Sequence, residues 1–449
     1  MTGPGGDRDV LGFSIDTRTL SPGDMFVAIR GDRFDGNAYV AEAIGKGAAS
    51  AMVSDASLSD RAELAGTPLV VVPETIAALQ MLANRVRRDS GSAVIAVTGS
   101  AGKSTTKEIT AEFLSARYTV FRNRGNLNNH IGLPLSLLEL RKKPDIGVLE
   151  LGMNHFGEIS ALVKIAEPDV RVWTNVGPAH LEFFGTIDAI ARAKAEILEG
   201  ADNDSLLVAN ADDDLVMRHA GTFAGRVRTF GVERPADVRA LAVRDLGIDG
   251  TAAIVRTPIG ETEMRTPLPG TANLSNVLAA TAVAIRFDVP LADIVERAAG
   301  LKPVARRGEV VRAGGITIVD DSYNSNPKAL SRAVGMLAGE ARFERRVAVV
   351  GEMLELGEAS AQLHRAAGEE IARAGISELI VVGGANALAT AEGAVHAGMA
   401  AAHVHYVENS TAAADLAAAL VKSGDVVLVK GSRGIRTEVV VDRLKAGSA

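Results

Sequence analysis

Lys103 follows two glycines at the end of an apolar run, in Val94-Ile95-Ala96-Val97-Thr98-Gly99-Ser100-Ala101-Gly102-Lys103-Ser104-Thr105-Thr106. A strand that turns through glycines into a helix lets backbone N–H groups approach an anion closely. The helix N-terminus favours negative charge, the lysine adds a cation, and Ser104 offers a hydroxyl to a divalent metal. The spacing predicts a triphosphate cradle made of Gly99, Ser100, Ala101, Gly102, Lys103, Ser104 and Thr105. Val97 stands where the longer form of this loop has its first glycine, which leaves the short G-x-x-G-K-[ST] pattern. The alternative is an ordinary strand-to-helix turn with a surface lysine, and the strand and helix context favours phosphate.

Other side chains with chemical potential follow predicted strands. Glu150 ends the run Ile146-Gly147-Val148-Leu149, where a carboxylate could hold Mg²⁺ or simply open a helix. His180, in Gly177-Pro178-Ala179-His180-Leu181-Glu182, reads on its own as a hydrogen-bonded loop residue before a metal ligand. Lys194 shares a helical face with Ile187, Ile190 and Ala191. A lysine on the apolar side is unexpected, and a snorkelling stem is the simpler reading. Asn273 and Asn276, in Thr271-Ala272-Asn273-Leu274-Ser275-Asn276, can cap a helix or read a base edge. Arg307 is a phosphate clamp or a linker cation. Asp321, in Asp320-Asp321-Ser322-Tyr323-Asn324-Ser325-Asn326-Pro327, can accept a ribose hydroxyl or cap the helix that Pro327 opens.

The elements that must carry these groups are legible in the apolar pattern. A chain of 449 residues exceeds what one core supports, so about three domains are expected. Apolar residues make up 47% and aromatics 4%, so Ala, Val, Ile and Leu must build the cores. Residues 10 to about 84 mix short strands, such as Met25-Phe26-Val27-Ala28-Ile29, with turns and a helix near 39–44. From 93 to about 302, the runs at 94–97, 146–149, 170–173 and 205–208 alternate with amphipathic stretches, which predicts a parallel sheet buried on both faces. Residues 226–267 alternate instead and predict an antiparallel insertion before a helix starting near Asn273. Runs at 316–319, 347–350, 379–382 and 426–429, each with a following helix, predict a second doubly wound sheet. The expected domains are 1–84, 85–302 and 303–449.

Composition removes several function classes. The net charge is -7 and the basic residues are scattered, which argues against a nucleic-acid partner. Cysteine is absent, so disulfides and thiolate metal sites are impossible. No leader pattern or membrane-length apolar run is present, so a cytoplasmic protein is expected.

Taken in order, these segments resemble the Mur ligase family over nearly the whole chain. The series is the short phosphate loop, Asn126-Leu127-Asn128-Asn129-His130-Ile131-Gly132, Leu149-Glu150-Leu151-Gly152-Met153, Ala179-His180-Leu181-Glu182 with Lys194, Ala272-Asn273-Leu274-Ser275-Asn276, Arg307 and Asp321. The resemblance implies an α/β fold of three domains: a small N-terminal UDP-sugar module, a central P-loop doubly wound domain and a C-terminal Rossmann-like domain. It further implies Gly102 and Lys103 on the ATP phosphates, Ser104 and Glu150 on one Mg²⁺ and His180 on a second. Lys194 corresponds to a lysine that the family carries carbamoylated, as a metal ligand. Asn276 would meet adenine, Arg307 the γ-phosphate and Asp321 the ribose. Lys103, Lys194, His180 and Arg307 form the implied catalytic set, and Thr17, Arg18, Asp35, Asn126 and Asn129 the substrate-binding set.

Within the family the chain resembles the D-alanyl-D-alanine-adding branch. Asp320 to Pro327 is similar to D-D-S-Y-N-A-N-P, Gly351-Glu352-Met353-Leu354-Glu355-Leu356-Gly357-Glu358 to G-D-M-L-E-L-G-E, and Lys430-Gly431-Ser432-Arg433 to K-G-S-R. The chain departs from that pattern at Thr17, Ser325, Glu352 and in Arg122-Asn123-Arg124-Gly125. The implied partners are UDP-N-acetylmuramoyl tripeptide and D-alanyl-D-alanine, joined through an acyl phosphate by a monomer with ATP and two Mg²⁺ ions. A folate-polyglutamylating ligase, a P-loop phosphotransferase and a non-catalytic nucleotide-binding scaffold are the competing readings.

Overall fold

The computed structural model describes residues 9–31, 34–125, 127–179 and 181–447. Contacts divide the chain into two compact units. The first comprises Met1–Ala96, Thr119–Met153 and Glu158–Asp169, and the second Val97–Tyr118, Asn154–Gly157 and Val170–Ala449.

In the first unit, β1 (Gly12–Ser14), β2 (Asp24–Val27), β3 (Ser50–Val53) and β4 (Leu69–Val71) lie side by side in that order, all parallel. Parallel neighbours need a crossover, and the helix Val40–Gly45 supplies one, burying Val40 and Ala43 with Phe26, Ala28, Ala51 and Val53. The helix Thr75–Ser90 ends at Gly91, whose φ of 73° is the left-handed cap that glycine adopts at no steric cost. β5 (Ala93–Thr98) starts here, its first N–H bonded to the Asp145 carbonyl, and β6 (Val120–Arg122) runs parallel to β7 (Ile146–Glu150).

The second unit takes up the end of β5, where the Thr98 carbonyl accepts from Thr174 N–H beyond β8 (Val170–Trp173). β9 (Leu206–Asn210), β10 (Arg226–Gly231) and β11 (Val238–Asp245) continue in parallel from β8, and β12 (Thr251–Thr257) and β13 (Gly260–Thr266) close the series antiparallel. The expected antiparallel insertion is therefore present over β11, β12 and β13 but not at β10, which pairs in parallel with both of its neighbours. The helix Asp214–Ala220 gives β9 and β10 a crossover, whereas β12 and β13 share a two-residue hairpin turn. The next helix begins at Gly270, three residues before the expected start.

The C-terminal part of this unit is a six-stranded sheet. Its strands are β14 (Glu309–Ala313), β15 (Ile316–Asp321), β16 (Arg346–Gly351), β17 (Glu378–Val382), β18 (Val404–Val407) and β19 (Val426–Lys430), in the order β14-β15-β19-β16-β17-β18, with only β14 antiparallel. Alternate residues serve opposite cores. Val319, Ala348, Val350, Leu379 and Leu428 pack on one face with Leu330, Val334 and Ile371, while Ile318, Val347, Val349, Ile380 and Val427 pack on the other with Ala413, Val440 and Leu444. That is why these strands read as continuous apolar runs. Among the described residues no helix is long and apolar enough to cross a membrane.

Candidate active site

The phosphate loop joins β5 to the helix Lys103–Leu114. Gly99 has φ 149°, and a Cβ there would lie 2.0 Å from Thr174 Oγ1. Gly102 has φ 80°, and its Cβ would lie 2.4 Å from Asn276 Oδ1. Both positions require glycine, in conformation and in space. Lys103 folds back over the loop and donates to the Gly99 carbonyl at 2.8 Å. Gly102 is the helix N-cap and no side chain caps the first turn among the described residues, so backbone donors and the positive end of the helix face the loop.

Asn175 and Thr174, just beyond β8, brace this loop. Asn175 accepts from Ala101 N–H at 2.9 Å and returns its amide to the Ala101 carbonyl at 3.0 Å, and Thr174 Oγ1 donates to the same carbonyl at 2.7 Å. Ser100 exchanges hydrogen bonds with Gly177. Asn276 is 8% exposed and accepts from Thr106 Oγ1 at 3.1 Å, while Asn273 donates to the Pro269 carbonyl. Neither asparagine is a helix cap, since Pro269 holds that position. Asn276 instead joins its helix to the first turn of the phosphate-loop helix.

Lys194 lies in the helix Ile187–Ala195, whose N-terminus Thr186 caps, and is 2% exposed. The snorkelling reading is thereby corrected: the amine does not reach bulk water. His180 and Asn126 lie outside the described residues. Among the described residues no three His, Cys, Asp or Glu side chains gather as a metal cluster.

At the C-terminal sheet, β15 and β19 are neighbours with Asp321 opposite Lys430. Asp321 accepts from Lys430 Nζ at 2.6 Å, and Lys430 also donates to the Asn324 carbonyl. Asp321 is thus not the cap of the helix Pro327–Ala338, because Asn326 caps it with Pro327 in the first turn. Beside this pair, the Arg307 guanidinium lies 4.1 Å and that of Arg433 5.6 Å from the centroid of the Tyr323 ring. Ser432 donates its N–H to the Glu352 carbonyl and its Oγ accepts from Leu354 N–H, which ties the end of β19 to the segment after β16. Glu352 in turn accepts from Gly384 N–H and the Asn386 amide.

The first unit holds Glu150, 4% exposed, at the end of β7. Asn128 donates to its Oε1 at 2.8 Å and Asn123 accepts from its backbone N–H. Asn129 spends its side-chain oxygen on Ile131 and Gly132 N–H at the start of the helix Gly132–Leu137. Thr17 donates to Glu42, and Asp35 caps the short turn Gly36–Tyr39. Arg18 grips Asp16 through two nitrogens, and that hydrogen bonding lowers the Asp16 carboxyl to about 2.

Three family profiles match in chain order: "Mur ligase family, catalytic domain" over residues 9–87, "Mur ligase middle domain" over 97–284 and "Mur ligase, glutamate ligase domain" over 306–433. With a relative 33% identical over 97% of this chain, the chain belongs to the Mur ligase family. That relative, of which 93% is covered, is the UDP-N-acetylmuramoyl-tripeptide–D-alanyl-D-alanine ligase of Bacillus subtilis (strain 168). Among solved structures, MurF from Acinetobacter baumannii has a TM-score of 0.86 at 32% identity, covering 97% of this chain and 94% of that one. MurF ligase from Thermotoga maritima, solved in complex with ADP, has a TM-score of 0.84 at 30% identity, covering 98% of both chains.

Proposed function

We propose that the chain is the ATP-dependent ligase that joins D-alanyl-D-alanine to UDP-N-acetylmuramoyl tripeptide in peptidoglycan precursor synthesis. The observation that carries this reading is 33% identity over 97% of the chain to an enzyme of that name, together with three segments of the D-alanyl-D-alanine-adding branch meeting at one sheet edge: Asp321 to Pro327, Glu352 to Glu358 and Lys430 to Arg433. The tripeptide carboxylate attacks the γ-phosphorus of ATP and expels ADP. The dipeptide amine then attacks the acyl phosphate carbonyl, and the resulting tetrahedral intermediate releases inorganic phosphate. Lys103 and Arg307 offset the charge on the transferring group, the loop amides hold the phosphates, Asn276 reads adenine and Asp321 the ribose.

The donor set suits Mg²⁺, a hard ion that prefers oxygen: a buried, amide-oriented Glu150, the Ser104 hydroxyl and a buried Lys194 amine, which CO₂ would convert to a carbamate. Ser104 and Glu150 would hold one ion and His180 a second, with Lys194 as the carbamate ligand. Bound there, Mg²⁺ would supply charge neutralisation. An acid-labile CO₂ mass increment at Lys194 checks the carbamate. Thr17, Arg18, Asp35, Asn126 and Asn129 are assigned to the UDP-linked substrate. The domains are taken as 1–84, 85–302 and 303–449, in a cytoplasmic monomer.

A matrix of acceptors and amines, read by phosphate release, tests the function. Release is expected only with the tripeptide acceptor and D-alanyl-D-alanine. Ligation of a single amino acid to the muramoyl dipeptide, with none of the D-alanyl dipeptide, would assign the chain to another branch.

A further inference from the structure

Cations at the ligand edge of the C-terminal sheet divide into two kinds. Lys430 is matched by Asp321 at 2.6 Å and Arg306 by Glu438 at 3.4 Å. Arg307 and Arg433 form no ion pair and no side-chain hydrogen bond among the described residues, and both rest on the ring of Tyr323. The acids Asp321 and Glu438 face other partners, so among the described residues no acid pairs with these two guanidiniums. Stacking on an aromatic face fixes a guanidinium plane while leaving its N–H edge able to grip a carboxylate or phosphate in bidentate fashion.

Arg433 is also anchored from behind. Ser432 is bonded through its N–H and its Oγ to Glu352 and Leu354, and the Gly431–Gly351 approach leaves 3.1 Å between a Cβ built on Gly431 and the Gly351 Cα. The backbone that presents Arg433 is therefore held before any ligand arrives, which lowers the entropy cost of binding.

We infer that Arg433, held against Tyr323, binds the terminal carboxylate of the incoming dipeptide, while Arg307 on the same ring serves the phosphoryl group; this deepens the ligase reading and rests on it. The two guanidinium carbons lie 5.6 and 4.1 Å from one centroid, so their separation cannot exceed those two lengths laid end to end. An extended dipeptide spans about 7 Å and a single amino acid about half of that. An extended dipeptide fits within that limit, so it can put its carboxylate on Arg433 with its amine near a group on Arg307.

The test compares D-alanyl-D-alanine with its C-terminal amide as nucleophile, in wild type, Arg433→Ala and Arg433→Lys, by phosphate release. Loss of a charge-assisted contact predicts that the wild type favours the acid over the amide by about 10- to 100-fold in kcat/KM. In Arg433→Ala the KM for the acid rises by a similar factor and the acid-to-amide ratio falls to about one. The KM values for ATP and tripeptide stay within about twofold, and Arg433→Lys recovers part of the ratio. A wild-type ratio that survives in Arg433→Ala overturns the assignment while leaving the ligase standing. A wild type that uses neither dipeptide, but does use another amine, overturns both.

Discussion

Two clusters of charge in the second compact unit are built in opposite ways. At the turn between β11 and β12, Asp249 accepts from Arg312 at 2.9 Å and from Arg342 at 2.5 Å, and Arg342 also pairs with Glu340, which is 2% exposed. Glu340 takes the N–H of Ile248, whose side chain is 3% exposed within the core of the C-terminal sheet. Hydrogen bonding to Arg342 holds the Asp249 carboxyl below its ordinary range. Around Tyr323, by contrast, two arginines share a ring, and neither pairs with an acid among the described residues. Charges that the fold pairs fasten one segment to another; charges that it braces but leaves unpaired are suited to an anion from outside.

If that division is right, changes at the ligand-facing groups should strike turnover and spare the fold, and changes at the turn should do the reverse. The largest effect is expected at the phosphate loop. Lys103→Ala should lower kcat by about 100- to 1,000-fold, roughly 3 kcal/mol in the barrier, with an unchanged thermal midpoint. Near-normal kcat in a folded variant would remove Lys103 from the charge-stabilising set.

Next comes the turn. Ile248→Ala should cost about 2–4 kcal/mol in denaturant unfolding, because it opens a cavity in a packed core. Asp249→Asn should cost at most about 1 kcal/mol, less at high salt, since its side chain is 40% exposed and solvent screens its pairs. Equal stability losses for Ile248→Ala and Arg433→Ala would erase the contrast between the two clusters.

The smallest effect concerns His364, which is buried behind the segment after β16. Its Nε2 accepts from Met353 N–H and its Nδ1 meets the Ser360 carbonyl, an arrangement that requires the neutral ring, and burial lowers its pKa. A lowered folded-state pKa means that the unfolded chain binds the proton more readily. The contribution of His364 is thus complete above the ordinary histidine value of about 6.5 and is lost as pH falls from there toward the folded pKa. The thermal midpoint should drop over that window, and His364→Gln should flatten the drop. A wild-type midpoint constant across the window would refute it.

How much of this was legible in the sequence follows from the range of each signal. The phosphate loop is a local pattern, and its strand, glycines and helix lie where the spacing puts them. Lys194 stood out because it broke an apolar face, and the fold resolves that anomaly by burying it. β14 and β18 escaped notice because edge strands such as Glu309–Ala313, half-exposed, carry no continuous apolar run. Asn175, Asn128 and Asn123 brace functional groups from turns, where asparagine is common for reasons of backbone geometry alone. The Tyr323–Arg433 stack depends on β19 lying beside β15, a crossover that no local pattern encodes.

The central claim is that a carboxylate is activated by phosphorylation and then captured by a dipeptide amine. The most direct measurement supplies tripeptide acceptor labelled with ¹⁸O in its terminal carboxylate and follows the label. Attack on the γ-phosphorus makes one carboxylate oxygen the bridge of the acyl phosphate, and capture by the amine expels that oxygen with phosphorus. The account predicts one ¹⁸O in each inorganic phosphate released, formed only when D-alanyl-D-alanine is present and in step with amide product. Unlabelled phosphate accompanying amide formation would contradict it.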